Sequence, residues 1–111
     1  MTLLERRFAL CWTGAMALAL SARAASADIV ITMQNHQFVP SEVAVPAGTK
    51  VKLVVKNREA TAAEFESVDF HREKVVRAGD EIAVFVGPLA PGRYEFFDDF
   101  HPATRGHLVV R

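Results

Sequence analysis

Two short segments of the chain carry the side chains that could do chemistry. One contains Glu64 and Glu66, and the other contains Asp98, Asp99 and His101. Carboxylate and imidazole groups form a harder ligand set than thiolates or thioethers, and they suit iron, manganese or Cu(II). Each group also has an ordinary role, because aspartates cap turns and glutamates cover solvated strand faces. The residue types alone therefore leave two alternatives, a metal site or a set of structural and surface side chains.

The rest of the sequence offers little for covalent or acid–base catalysis. Cys11 is the only cysteine, and it lies in an apolar segment that we expect to be removed, so the remaining domain has neither a thiol nor a disulfide. No Ser–His–Asp arrangement has a recognisable local context, and no glycine-rich phosphate loop occurs. The neighbouring Asp98 and Asp99 do not indicate a glycosidase pair, because that requires separated carboxyls.

The first 27 residues have the layout of a bacterial secretory signal. Glu5-Arg6-Arg7 precedes an apolar run over residues 8–20, and small residues at 22–24 and 25–27 fit the A-x-A cleavage pattern. The apolar run is shorter than the roughly 20 residues that a spanning helix needs. We therefore expect residues 1–27 to be removed on export to the periplasm, with no stable membrane insertion afterwards.

The charge of the chain argues against a nucleic-acid partner. The sequence contains 13 basic and 13 acidic residues, and the expected cleavage would remove more basic than acidic ones. Binding of nucleic acid needs a concentrated basic face, so we expect none.

Residues 28–111 have the pattern of short strands separated by turns. The alternation over 50–56, Lys-Val-Lys-Leu-Val-Val-Lys, predicts a strand with one buried face. Seven or eight such strands at intervals of about 10 residues predict a single all-β domain, an antiparallel sandwich with Greek-key connections. In an extended strand, Glu64 and Glu66 share one face while Phe65 lies on the other.

Motifs in both halves of this domain resemble those of cupredoxins. The first half contains F-x-P at 38–40 and V-P-A-G-x-x-V at 45–51, and the chain closes with G-x-Y-x-F at 92–96 and G-x-L-x-V at 106–110. The resemblance covers about residues 28–111 and implies a cupredoxin-like Greek-key β-sandwich. It also implies a ligand loop between the last two strands, which in cupredoxins supplies a cysteine, a histidine three residues later and usually a methionine.

The resemblance implies where a metal would bind. Asp98 stands at the cysteine position and His101 matches the histidine, while the methionine region holds no methionine. The family's other histidine, after the third strand, is also missing, and Glu64 and Glu66 lie in that region. The implied ligands of an iron or copper ion are therefore Asp98, His101 and Glu64 or Glu66. A blue copper centre is disfavoured because its cysteine is absent.

Segments 64–67, 72–76 and 97–101 narrow the resemblance to the cupredoxin-like periplasmic proteins that accompany bacterial high-affinity iron permeases. This implies a periplasmic accessory protein of iron uptake that binds iron, copper or both. Its implied partners are an inner-membrane iron permease and other periplasmic iron-uptake proteins. A non-enzymatic metal binder is favoured, and assistance in Fe(II) oxidation stays open. The alternative is a metal-free interaction module with the same fold.

Overall fold

The computed structural model describes residues 28–111, so the predicted signal segment 1–27 lies outside the described residues. The described chain forms nine β-strands: β1 Ile29–Gln34, β2 Gln37–Val39, β3 Glu42–Val45, β4 Val51–Asn57, β5 Ala63–Ser67, β6 Arg72–Val76, β7 Glu81–Val86, β8 Gly92–Asp98 and β9 His101–Val110. Between residues 28 and 111, no helix is long and apolar enough to cross a membrane.

The strands form two sheets that enclose one hydrophobic core. One sheet has the order β2-β1-β4-β7, and the other has the order β3-β9-β8-β5-β6. This confirms the predicted all-β, cupredoxin-like sandwich. The expectation of a wholly antiparallel arrangement is wrong for two pairs, since β1 lies parallel to β4 and β3 lies parallel to β9. Each of these partners is reached by a long crossover rather than by a hairpin, which permits the parallel direction.

Three phenylalanines fill the core beneath one end of the sandwich. Phe65 and Phe96 are fully buried, and Phe38 is almost so. The Phe38 ring meets Phe96 edge-on, with ring centroids 4.9 Å apart and an interplanar angle of 82°. The Phe65 and Phe96 centroids are 5.2 Å apart. Because aromatic pairs favour such tilted and edge-to-face geometries, the cluster fixes β2, β5 and β8 relative to one another.

The predicted ligand loop between the last two strands is mostly strand. β8 continues to Asp98 and β9 already begins at His101, so only two residues form the turn. Asp98 pairs with His101, but the next rung joins Phe97 to Arg105, which leaves residues 102–104 as a bulge. A bulge of this kind bends the strand locally and re-aims its side chains. The hairpin therefore brings His101 next to Asp98, and the bulge follows directly in β9.

Candidate metal centre

Strand β5 places Glu64 and Glu66 on the outer face of the five-stranded sheet. Phe65 between them is fully buried in the core, so the alternation of the strand turns both glutamates outward. Asp99 follows β8 directly, and its backbone N–H donates a 3.0 Å hydrogen bond to the carbonyl of Glu64. Oxygen atoms of the Glu64, Glu66 and Asp99 carboxylates lie within 4.8 Å of one another. We call these three residues the carboxylate triad.

The carboxylate triad concentrates negative charge at a partly buried position. A side-chain hydrogen bond with Glu73, burial, and the charges of Glu73, Asp99 and Glu66 together raise the pKa of Glu64 to about 7. Burial and the charges of Asp99 and Glu73 raise the pKa of Glu66. Glu73 is not a member of the triad, but its charge acts on the triad because it lies opposite Glu66 on β6. Like charges held this close favour a shared proton or a bound cation.

Asp98 lies on the opposite side of the same sheet and is 3% exposed. Its Oδ1 accepts hydrogen bonds from the backbone N–H groups of Glu64 and Phe100, both at 3.0 Å. Its Oδ2 lies 3.1 Å from Nδ1 of His101. A carboxylate oxygen at this distance accepts a hydrogen bond from Nδ1–H, and the neutral imidazole of that tautomer has its lone pair on Nε2. Asp98 thus caps the turn and also orients His101.

The four ligands predicted from the sequence fall into two groups. Glu64 and Glu66 lie together with Asp99, whereas Asp98 and His101 form a separate pair joined to the triad through the Glu64 backbone. Metal binding by any of these residues remains a prediction. The sequence prediction missed Asp99 as a member of the cluster, although strand alternation through Phe96 and Phe97 carried a signal for it. It also missed Glu73, because that contact depends on the pairing of β5 with β6.

The described residues do not fit a blue copper centre. Such centres need a thiolate together with two imidazoles, and residues 28–111 contain no cysteine. The residue that stands at the cysteine position, Asp98, directs one carboxylate oxygen at two backbone amides. A metal site within residues 28–111 would therefore have no thiolate ligand.

Solved structures with the same architecture include copper proteins. Amicyanin from Paracoccus versutus has a TM-score of 0.63 at 18% identity, with 81% of this chain and 87% of that chain covered. The reduced Cu(I) form of an amicyanin mutant has a TM-score of 0.64 at 21% identity, with coverages of 81% and 88%. The metal-binding domain of the Cu(I)-exporting P-type ATPase CopA of Streptococcus pneumoniae, with Cu(I), has a TM-score of 0.67 at 15% identity, with coverages of 76% and 84%. At these identities the similarity shows the fold alone.

Sequence comparison identifies the family. An uncharacterised protein of Rickettsia prowazekii is 45% identical over 84 residues, which are 75% of this chain and 67% of that protein. The family model described as a cupredoxin-like domain matches residues 7–110. This chain is therefore a member of the cupredoxin-like domain family.

Proposed function

We propose that this chain is a periplasmic metal-binding accessory protein that holds iron, or copper, for an inner-membrane iron permease. The observation that carries the proposal is the carboxylate triad, in which Glu64, Glu66 and Asp99 offer oxygen atoms within 4.8 Å of one another. These residues lie in the segments whose resemblance to iron-uptake proteins suggested the role. The Cu(I) forms of an amicyanin mutant and of the CopA metal-binding domain support a metal-binding role for the fold.

The spacing of the triad is compatible with closure around one ion. Carboxylate oxygens bind metal ions at about 2.1 Å, which puts adjacent ligand atoms about 3 Å apart. Small side-chain rotations would bring oxygens separated by up to 4.8 Å to that distance. The hydrogen bond with Glu73, burial and the neighbouring carboxylates raise the pKa of Glu64 to about 7, and a cation would offset the part that comes from the neighbouring charges. Binding would therefore release the proton that Glu64 holds at lower pH.

The ligand type and exposure of the triad fit the handling of iron in transit. Carboxylate oxygens are hard ligands and favour Fe(III) over Fe(II), so the triad would hold iron in its oxidised form. Asp99 is exposed while Glu64 is 9% exposed. One edge of the site is thus open to an incoming ion and to a partner that removes it. The side chains of Asp98 and His101 are further predicted ligands at the adjoining turn.

Metal titration of matched variants tests the proposal. Wild-type chain would be titrated with Fe(II) under anaerobic conditions and with Fe(III), Cu(II) and Mn(II), alongside E64Q, E66Q and H101A. The control is E81Q, which removes an exposed carboxylate from β7 in the other sheet. We expect E64Q and E66Q to weaken iron binding at least about tenfold, by analogy with losses at metal sites. Equal iron binding by wild type and both glutamate variants would refute the triad. Unchanged binding by H101A would remove His101 from the ligand set.

A metal-free interaction module is the second candidate, and the turn after β8 favours it. Asp98 is occupied by hydrogen bonds within the chain, and the neighbouring Phe100 ring is 49% exposed. Phe100, Pro102 and Ala103 line one groove, and such a contiguous apolar surface would suit contact with another protein. This candidate predicts no bound metal after purification and no shift in melting temperature with any of the four ions. A shift in melting temperature with iron would support the metal-binding proposal over the metal-free module.

The role in iron uptake has its own test. Deletion of the gene should slow growth under iron limitation, and the chain should co-purify with an inner-membrane permease after cross-linking. The role in iron uptake would be refuted if the deletion strain grew as well as its parent and no permease were cross-linked. The proposed metal site would not be affected by that result.

A further inference from the structure

The turn between β1 and β2 carries a histidine where glycine is usually preferred. Asn35 and His36 form a two-residue connection, and their φ angles are 53° and 57°. Hairpin turns with positive φ at both positions favour Asn-Gly, because glycine adopts this conformation without a steric penalty. Glycine at position 36 would adopt this conformation more readily than histidine, so H36G is a substitution that the turn tolerates.

The backbone of His36 is fixed to two other parts of the chain. Its N–H donates a 2.6 Å hydrogen bond to Oε1 of Glu59. Its carbonyl accepts a 2.7 Å hydrogen bond from Oγ1 of Thr104, a residue of the β9 bulge that is 5% exposed. These bonds hold the β1–β2 turn against the bulge. As a result, the His36 ring lies beside that of His101, with centroids 5.2 Å apart and planes tilted by 48°.

The contact with Asp98 orients the His101 ring so that Nε2 can bind a metal. Its Nδ1 lies against Oδ2 of the buried Asp98, which leaves Nε2 free for a metal, as in many carboxylate–histidine–metal arrangements. Both histidines line an open groove of about 460 Å³, together with Phe100, Pro102, Ala103 and Thr104. An ion at the two rings would therefore be reachable from solvent and flanked on one side by apolar groups.

We propose that His36 and His101 together bind a copper ion through their ring nitrogens, with Asp98 as the positioning residue. Imidazole suits copper, and Cu(II) stands at the top of the affinity order of first-row divalent ions for such ligands. Two imidazole nitrogens at about 2.0 Å from one ion lie at most about 4 Å apart, which a centroid separation of 5.2 Å allows. The site shares no ligand with the carboxylate triad and does not depend on it.

Electron paramagnetic resonance of Cu(II) tests the pair, with the purified chain free of any histidine tag. Wild type should bind one Cu(II) whose spectrum shows hyperfine splitting from two nitrogens. H36G should bind this copper at least about tenfold more weakly, and H101A should do the same. Because glycine suits the φ of residue 36, H36G should melt no lower than wild type, so its loss of copper could not reflect unfolding.

His71 supplies a matched control. It also has a positive φ, 55°, and lies in the exposed β5–β6 turn, at the end of β5 away from Asp98. H71G should keep the wild-type copper spectrum and affinity. E64Q should also keep it, which separates this site from the carboxylate triad. Unchanged nitrogen splitting and affinity in H36G would overturn the proposal, and so would an equal loss in H71G.

Discussion

Asp98 caps the turn and also orients His101, and the substitution D98N separates these two roles. In D98N the side-chain oxygen can still accept the two amide hydrogen bonds at the turn, but its amide group would now donate to Nδ1 of His101. The imidazole proton would then move to Nε2. We expect the ¹⁵N chemical shifts of His101 to show Nδ1–H in wild type and Nε2–H in D98N. The fold should be unchanged in D98N, and an Nδ1–H signal in that variant would contradict the assigned role of Asp98.

Glu64 should make the stability of the metal-free protein depend on pH. Its pKa is about 7 in the folded chain against an ordinary value of 4.5. The folded state therefore binds more protons between these values, and the free energy of unfolding should fall as pH rises from about 4.5 to 7. Above about pH 7 this contribution should be constant. Urea denaturation of wild type and E64Q at several pH values measures the effect.

The E64Q variant supplies the comparison for this prediction. Glutamine cannot ionise and can still donate a hydrogen bond to Glu73, so E64Q should be more stable than wild type at pH 8. E64Q should also lose the part of the pH dependence of stability that is due to residue 64. Metal affinity of wild type should rise over the same pH range, because the ion displaces the Glu64 proton. A wild-type chain that gained stability between pH 5 and 7 relative to E64Q would contradict this assignment.

At the scale of elements, the β8–β9 hairpin explains why glycine occupies position 106. A Cβ there would lie 2.5 Å from the Phe96 ring and 2.9 Å from the carbonyl oxygen of Ser41. G106A should therefore force Phe96 or the backbone to shift and destabilise the fold by about 1–3 kcal/mol. Chemical denaturation measures the loss.

Gly92 begins the same hairpin and offers a control for that prediction. An added Cβ at Gly92 would meet only the Tyr94 side chain, at 3.5 Å or more, so G92A should cost much less than G106A. Equal losses would show that Phe96 does not pack against residue 106 as described.

The same hairpin shows how far the sequence could predict the elements. Its motifs located both strands and the residues at the turn, and alternation placed Glu64 and Glu66 on one face, as observed. The bulge at 102–104 could not be predicted, because it depends on which rungs of β8 and β9 pair. Asp98 was expected beside the glutamates, whereas Asp99 occupies the position on their side of the sheet, as the alternation of β8 through Phe97 indicates.

At the scale of the whole molecule, the fold was predictable because its signals are local and repeated. Short alternating strands and turn residues over 28–111 were enough to indicate a sandwich, and the motifs of both halves indicated its type. The two parallel pairs and the contact of His36 with His101 depend on crossovers between distant parts of the chain. The carboxylate triad likewise joins residues more than 30 positions apart, so its membership required the structure.

The most direct test of the account is the affinity of the D99N variant for Fe(III). Asp99 is the member of the carboxylate triad that the fold adds to the two glutamates, and it is exposed, so its substitution should leave the fold intact. The account predicts that D99N binds Fe(III) at least about tenfold more weakly than wild type, while E81Q binds it equally well. Fe(III) binding by D99N at the wild-type affinity would contradict a metal centre at the triad.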